Sequence, residues 1–324
     1  MKAICINAFG SPLEVPELVD VPEPGEPSSD KALLAMDYAP ISQVALVIIL
    51  WLFGEQPPLP TVAGYEGVAR VLSVGSSVRH IQPGDHVMVT FRGCWCERLL
   101  SNASDLFPLP SGVDLRQFSL VPINGPTARL MLSEFVALRA GDWVIQNAAN
   151  SGIGRAAIAI AHERGLRTVN VVRRAELIDE LKVAGGDVVL VDGPDLDRRV
   201  AAATANSQIT LGLDGVGGES TASLARCLGD SATVVCYGSA RKEILVVPAL
   251  QVIFRELTMR SFWARRWYRT VSRERFVSVQ REIVPLVARG ATRVPIAATY
   301  PLTEYREALA HASRGEGKAL FKCA

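Results

Sequence analysis

The stretch WVIQNAANSGIGRAAIAIAHERG, residues 143–165, constrains the fold more than any other part of this chain. A short β-branched strand runs into a Gly-containing turn and then into an Ala- and Ile-rich segment of helical spacing that Gly165 closes. Gly152 and Gly154 permit a tight turn, and the N–H groups that open the following helix form a receptor for a diphosphate. The same glycines could serve local geometry alone, but the strand before them and the helix after them favour the first reading.

This unit sits in a strict alternation. From about Val121 the chain reads as a helix over Ala128–Leu138, then as strands RTVNVV, DVVLVD, ITLGLD, ATVVCYGS and ELTMRSFW separated by helical segments. Such an order predicts a parallel sheet covered on both faces. Residues 1–118 differ: KAICINAF, KALLAMDYA, GVARVLSVGSSV and DHVMVTF are short strand-like runs broken by Pro and Gly, which predicts an antiparallel β domain. After a helix around Arg273–Arg289, the last segment reads strand, helix, strand and is expected to fold back onto that β domain. The expected class is α/β, a Rossmann-type doubly wound parallel sheet inserted in a mainly β domain, with boundaries at 1–119, 120–268 and 269–324.

Composition narrows the partners. At 324 residues two cores are expected, and 49% hydrophobic with 21% charged residues describes a folded chain. A net charge of +1 provides no broad basic field, so nucleic acid is not expected. Arg255, Arg260, Arg265, Arg266 and Arg269 do cluster in sequence; a solvated face is favoured slightly over a site for a phosphate-bearing substrate. The apolar run Val44–Leu52 is far shorter than the roughly 20 residues of a bilayer span, so no membrane segment is expected. The N-terminus lacks the pattern of a secretory signal, and cytoplasmic residence is the expectation. The six cysteines show no CxxC pair and read as reduced thiols, including Cys94 and Cys96 on either side of Trp95.

About 20 residues past the glycines, where a dinucleotide fold selects its cofactor, the strand RTVNVV ends in Arg173 and Arg174, with no carboxylate before Glu176. Guanidinium groups there suit a 2′-phosphate, so NADPH is expected over NADH. No metal is expected. The four His residues are scattered, and Gly64-Tyr65-Glu66 resembles the Gly-His-Glu motif of zinc-dependent dehydrogenases with a tyrosine in place of the histidine ligand.

NAANSGIGRAA, LRTVNVVR, LDGVGGES, VCYGSARKE and IFRELTMRSFWARRW, with GYEGVARVLSVGSSV and QPGDHV upstream, together resemble the zinc-free medium-chain dehydrogenase/reductases. Within that group they are similar to the 2-enoyl thioester reductases, close to the quinone oxidoreductases. The resemblance spans nearly the whole chain and implies a GroES-like catalytic domain around the Rossmann domain, and a homodimer formed through the cofactor-domain sheet. It implies hydride transfer from NADPH to the β-carbon of an activated alkene in an enoyl thioester, enone or quinone substrate.

By matching segments, Asn147, Ser151, Gly152, Ile153 and Gly154 would line the pyrophosphate, and Arg173 with Arg174 the 2′-phosphate. Thr127, Tyr237, Gly238, Phe262 and Trp263 would flank the ribose and nicotinamide, and Lys318 matches a lysine near the cofactor. For Phe262 and Trp263 plain packing is an equal alternative.

The chain departs from the family at one position. Where the family carries its catalytic tyrosine, LFGEQPPLPTVAGYEG has Phe53, which cannot donate a proton. Either Phe53 fills space and water delivers the proton, or Tyr65 has taken over. Phe53, Tyr65, Trp95 and Asn124 are the expected lining of a substrate cleft. A catalytically decayed NADPH-binding protein is the third alternative.

Overall fold

A computed structural model describes residues 1–52, 54–91, 93–239, 244–315 and 317–324. The expected cleft residue Phe53 lies outside the described residues. Two compact units form, one from residues 1–123 and 294–324, the other from 124–293.

In the first unit, β1 (Lys2–Ile6), β2 (Glu17–Asp20), β3 (Lys31–Pro40), α1 (Gln43–Ile49) and β4 (Thr61–Val62) come first in the chain. β5 (Glu66–Val74), β6 (His86–Thr90), β7 (Arg98–Asn102), β8 (Phe107–Pro108) and α2 (Leu115–Ser119) follow. One sheet runs β2-β1-β4; the other runs β15-β16-β3-β5-β6-β8, with β15 (Ile296–Pro301) and β16 (Lys318–Lys322) returned from the C-terminal segment around α11 (Tyr305–Arg314). β16 pairs antiparallel to β3 through Phe321 and Ala39, which holds the last stretch in this sheet. The apolar run after Ser42 is α1: the Ser42 hydroxyl accepts from the Ala45 N–H, and Ala45, Leu46, Ile48 and Ile49 are buried. Among the described residues no helix is long and apolar enough to cross a membrane.

The second unit opens inside α3 (Val121–Met131), which begins and ends earlier than the expected Ala128–Leu138. Pro122 lies in its first turn, where a missing N–H costs least, Pro126 lies inside the helix, and Ser133–Leu138 are no longer helical. Then come β9 (Trp143–Gln146), α4 (Gly152–Glu163), β10 (Arg167–Val172), α5 (Ile178–Val183), β11 (Val188–Val191), α6 (Leu196–Ala203) and β12 (Ile209–Asp214). α7 (Glu219–Arg226), β13 (Thr233–Cys236), α8 (Ala249–Phe254), β14 (Thr258–Ser261), α9 (Ala264–Thr270) and α10 (Arg273–Ala288) complete it. The strands are parallel in the order β11-β10-β9-β12-β13-β14, so strand order reverses between β9 and β12. A crevice for a ligand is expected at that switch point, beyond the strand carboxyl ends. This unit runs past the expected boundary at 268 to Arg293: Leu286 of α10 packs with Ala156, Ala157 and Ile160 of α4, and the Arg155 guanidinium donates to the Arg293 carbonyl.

Candidate functional site

The glycine turn leaves β9 at the switch point. Ser151 caps α4, its hydroxyl accepting from the Gly154 N–H at 3.0 Å, and the first helical bond runs from Arg155 N–H to the Ser151 carbonyl. The N–H groups of Gly152 and Ile153 precede that bond and stand at the positive end of a three-turn helix. Backbone forces a glycine at 154, and a side chain at 152 would have to displace Asn124. A Cβ on Gly154 would lie 2.5 Å from the Ala149 carbonyl oxygen, and one on Gly152 would lie 2.4 Å from the Asn124 side-chain nitrogen. Asn124, expected beside the substrate, is therefore also a wall of the glycine turn. Ala148 takes φ +49°, and Arg155, almost fully buried, braces the turn through the Asn150 carbonyl and Glu180. Sequence reasoning missed Arg155 because a lone arginine in an apolar helix carries no pattern of its own.

Behind the turn lies a buried polar network. Asp214, with no exposed surface, accepts from Asn147 Nδ2 at 2.7 Å, from the Val216 and Gly217 N–H groups at 3.0 and 3.1 Å, and from the Thr221 hydroxyl at 2.6 Å. Asn147 in turn accepts from the Gly215 N–H and donates to Ser220. The side chain of Asn147, expected at the pyrophosphate, is thus committed to tying the ends of β9 and β12 together. Burial, and then the Asp214 charge, pushes the Cys236 thiol up to about 12.

Tyr237 follows β13. Its hydroxyl is buried, has no partner at hydrogen-bond geometry, and faces Ser151; a Cβ on Gly215 would lie 2.6 Å from it. Burial raises its pKa, so it stays protonated.

One recess is lined by Asn147, Ala148, Asn150, Val171, Val172, Arg173, Asp192, Val216 and Ser220, so the structure gathers Arg173 with the glycine turn. Arg174 points elsewhere, exposed and 3.6 Å from Glu176. Thr127 is buried on α3. Ile153 and Phe262 are half-buried against the α4 core, and Phe262 meets Phe135 edge-on at 6.5 Å. Trp263 is 37% exposed, and Gly238 is exposed after Tyr237.

Among the described residues, three expected site residues belong to the first unit. Trp95 is a correction: it is 0% exposed, its indole N–H donates to the Pro40 carbonyl, and it meets Phe321 at 5.2 Å, so it is core and lines no cleft. Gly64 is forced by this packing, since its Cβ would lie 2.3 Å from the indole. Tyr65 is 7% exposed and packs in the same core. Lys318, expected at the cofactor, opens β16 and interacts electrostatically with Glu66. Glu66, 2% exposed, accepts from the Ile123 N–H at 3.2 Å. Burial pushes its carboxyl up to about 7, against the opposing pull of that N–H, of Lys318 and of the Ser42 hydroxyl. Burial lowers the Lys318 pKa in turn. The GYE motif contains Glu66, but a pattern that names Glu66 does not reveal its partner some 250 residues on.

The chain matches the family model of the alcohol dehydrogenase GroES-like domain over residues 28–149, and the model described as zinc-binding dehydrogenase over 152–278. Zinc does not fit this chain: among the described residues no group of three or more His, Cys, Asp or Glu could hold a metal ion, and Tyr65 stands at the histidine position. The human mitochondrial enoyl acyl-carrier-protein reductase is 35% identical over 319 residues, covering 95% of this chain and 84% of that protein. The Caenorhabditis elegans protein of the same description is 35% identical, covering 82% of this chain and 78% of its own. A Bacillus thuringiensis protein described as an NADPH:quinone reductase superposes with a TM-score of 0.91 at 25% identity, covering 100% of this chain and 99% of that one. The Etr1p complex with NADP and crotonyl-CoA shares the fold at TM-score 0.88 and 22% identity, covering 99% of each chain. With both domain models matched in order and these relatives aligned over most of its length, the chain belongs to the zinc-free medium-chain dehydrogenase/reductases, in the branch of the mitochondrial enoyl acyl-carrier-protein reductases.

Proposed function

We propose that this protein is an NADPH-dependent reductase of α,β-unsaturated thioesters. The observation that carries the reading is the shared recess of Arg173 and the glycine turn, in a chain whose relatives are enoyl reductases. The N–H groups of Gly152 and Ile153 would receive the diphosphate, and Arg173 the 2′-phosphate. Asp192 has one oxygen on the Gly193 N–H, which leaves acceptor capacity for a hydroxyl or amino group of the adenosine. NADPH held there would supply hydride for the β-carbon of the α,β-unsaturated thioester, with a solvent proton completing the α-carbon. Tyr65, packed in the core, is not needed for that step.

Titration calorimetry tests the reading: NADPH binds at least about tenfold tighter than NADH. Arg173→Ser weakens NADPH by about 10- to 100-fold while leaving NADH within about twofold, since only the charged hydrogen bonds to the extra phosphate are lost. Tighter binding of NADH to the natural protein overturns the assignment. A second reading, reduction of quinones or simple enones, draws on the Bacillus thuringiensis neighbour. NADPH oxidation with crotonyl thioester, quinone and enone side by side separates the two.

The same proposal includes a homodimer. Among the described residues β14 ends the parallel sheet with no strand on its outer edge, and α8 beside it in sequence exposes Leu250, Val252, Ile253 and Phe254. An exposed edge next to apolar side chains suits a second copy of the sheet. Sedimentation at twice the chain mass is expected; a monomer at micromolar concentration removes this part.

A further inference from the structure

The recess that gathers Arg173 with the glycine turn continues past Arg173 and Asp192 to Gly193, Glu219, Ser220 and Ser223, all within the second unit. Among the described residues that line it, Arg173 is the single cation, and Asp192 and Glu219 are two carboxylates beside it. Arg174, the other guanidinium at the end of β10, lies with Glu176 instead. The recess therefore carries one more negative charge than positive before any ligand enters. For a site that selects a phosphorylated cofactor this is the opposite of the expected sign, and Arg173 alone leaves it unaccounted for.

The two carboxylates differ. Asp192 is half-buried and accepts from the Gly193 N–H at 2.9 Å. Glu219 is exposed and is in no ion pair among the described residues; Arg226, two turns further along α7, donates to the Ser223 hydroxyl at 3.1 Å. The backbone that presents Glu219 is nonetheless fixed. Gly217 and Gly218 turn into α7 at φ +81° and +60°, the next residue, Ser220, accepts from Asn147 at 3.2 Å, and Thr221 donates to Asp214. The polar network behind the glycine turn thus also holds the first turn of α7 at the recess. A carboxylate in a first helical turn is favoured by the helix dipole in any case. That ordinary role would touch every cofactor alike.

We propose that Glu219 is a selectivity residue, which repels the 2′-phosphate in the recess it shares with Arg173 and so limits the preference for NADPH over NADH. This rests on the NADPH reading above. A phosphate of this kind brings about −1.5 to −2 charges at neutral pH. Arg173 attracts it through charge-assisted hydrogen bonds at contact, whereas an exposed carboxylate acts through solvent and is screened by salt. NADH offers an uncharged hydroxyl at the same place and escapes the repulsion.

The test measures the Kd of NADPH and of NADH by titration calorimetry on the natural protein and on Glu219→Gln, at about 50 and about 500 mM salt. The variant binds NADPH about three- to tenfold tighter at the lower salt, and the gain shrinks to less than about twofold at the higher. NADH stays within about twofold throughout. Glu219→Lys, which replaces repulsion with attraction, gains at least as much as Glu219→Gln. NADPH affinity unchanged in both variants overturns the proposal, and so does an equal change for the two cofactors, which would mean that Glu219 serves only the α7 terminus. A natural protein that prefers NADH, with variants that gain NADPH selectively, would sustain the role of Glu219 and remove the NADPH assignment instead.

Discussion

Replacing Asp214 with alanine lowers the melting temperature by about 10 °C and eliminates measurable NADPH binding, the largest effect expected of any single change outside the glycines. Its carboxylate is fully buried and accepts from the Asn147 amide, two backbone N–H groups and the Thr221 hydroxyl. Alanine leaves four donors without an acceptor in a site closed to water. Each orphan costs about 1–3 kcal/mol, and partial relaxation brings the sum to about 4 kcal/mol. The loss reaches the cofactor because Asn147 is the hinge between network and glycine turn, with its other side-chain atom on the Gly215 N–H. Asp214→Asn is expected to be far milder, about 1–2 kcal/mol. Oδ1 keeps the two N–H groups and the Asn147 amide, and at Oδ2 the Thr221 hydroxyl can turn round to accept from the new amide. Thermal unfolding with and without NADPH checks both; an alanine variant within about 2 °C of the natural protein refutes the argument.

That network marks the limit of what could be read from the sequence. The glycine turn was legible because strand, turn and helix are contiguous and their chemistry is local: Ser151 caps, Gly152 and Gly154 make room, and Arg173 ends the adjacent strand. The parallel sheet was legible for the same reason, since each β-α repeat advertises its period. Asp214 stood in view within LDGVGG, yet its role depends on Asn147, 67 residues earlier, and on a handful of N–H groups whose direction is set only by the folded turn. Trp95 misled in the opposite sense. An aromatic between two cysteines in a Gly-containing loop looks exposed, but Gly64 at φ +86° lets the indole close over it. Lys318 was placed by resemblance beside the cofactor, and its electrostatic partner is a carboxylate on β5. Long-range pairs of single charged residues leave no periodic trace for a sequence reading to follow.

The Glu66–Lys318 pair leads to a pH signature. Glu66 holds its proton up to about 7 in the folded chain against 4.5 for the unconstrained group, because burial disfavours the charge more than the Ile123 N–H, Lys318 and Ser42 favour it. Between those two values the folded state binds a proton that the unfolded chain has released. Stability from this group is therefore fully present below about pH 4.5 and is lost as pH rises through 7. Lys318, lowered by burial, acts on the other side: its folded form gives up a proton more readily than the unfolded chain, so its contribution appears only on the alkaline limb. Glu66→Gln keeps an oxygen for the Ile123 N–H and removes the titration. The natural protein should lose about 2 kcal/mol between pH 5 and pH 8 relative to Glu66→Gln, seen as converging or crossing melting curves across that range. Removing Glu66 also takes away the charge that holds Lys318 up, so the variant should begin to gain stability at a lower alkaline pH, and adding Lys318→Met should abolish that gain. Parallel pH profiles for the natural protein and Glu66→Gln would mean that the carboxyl is ionised throughout and that the pair is an ordinary ion pair rather than a buried acid held close to neutrality.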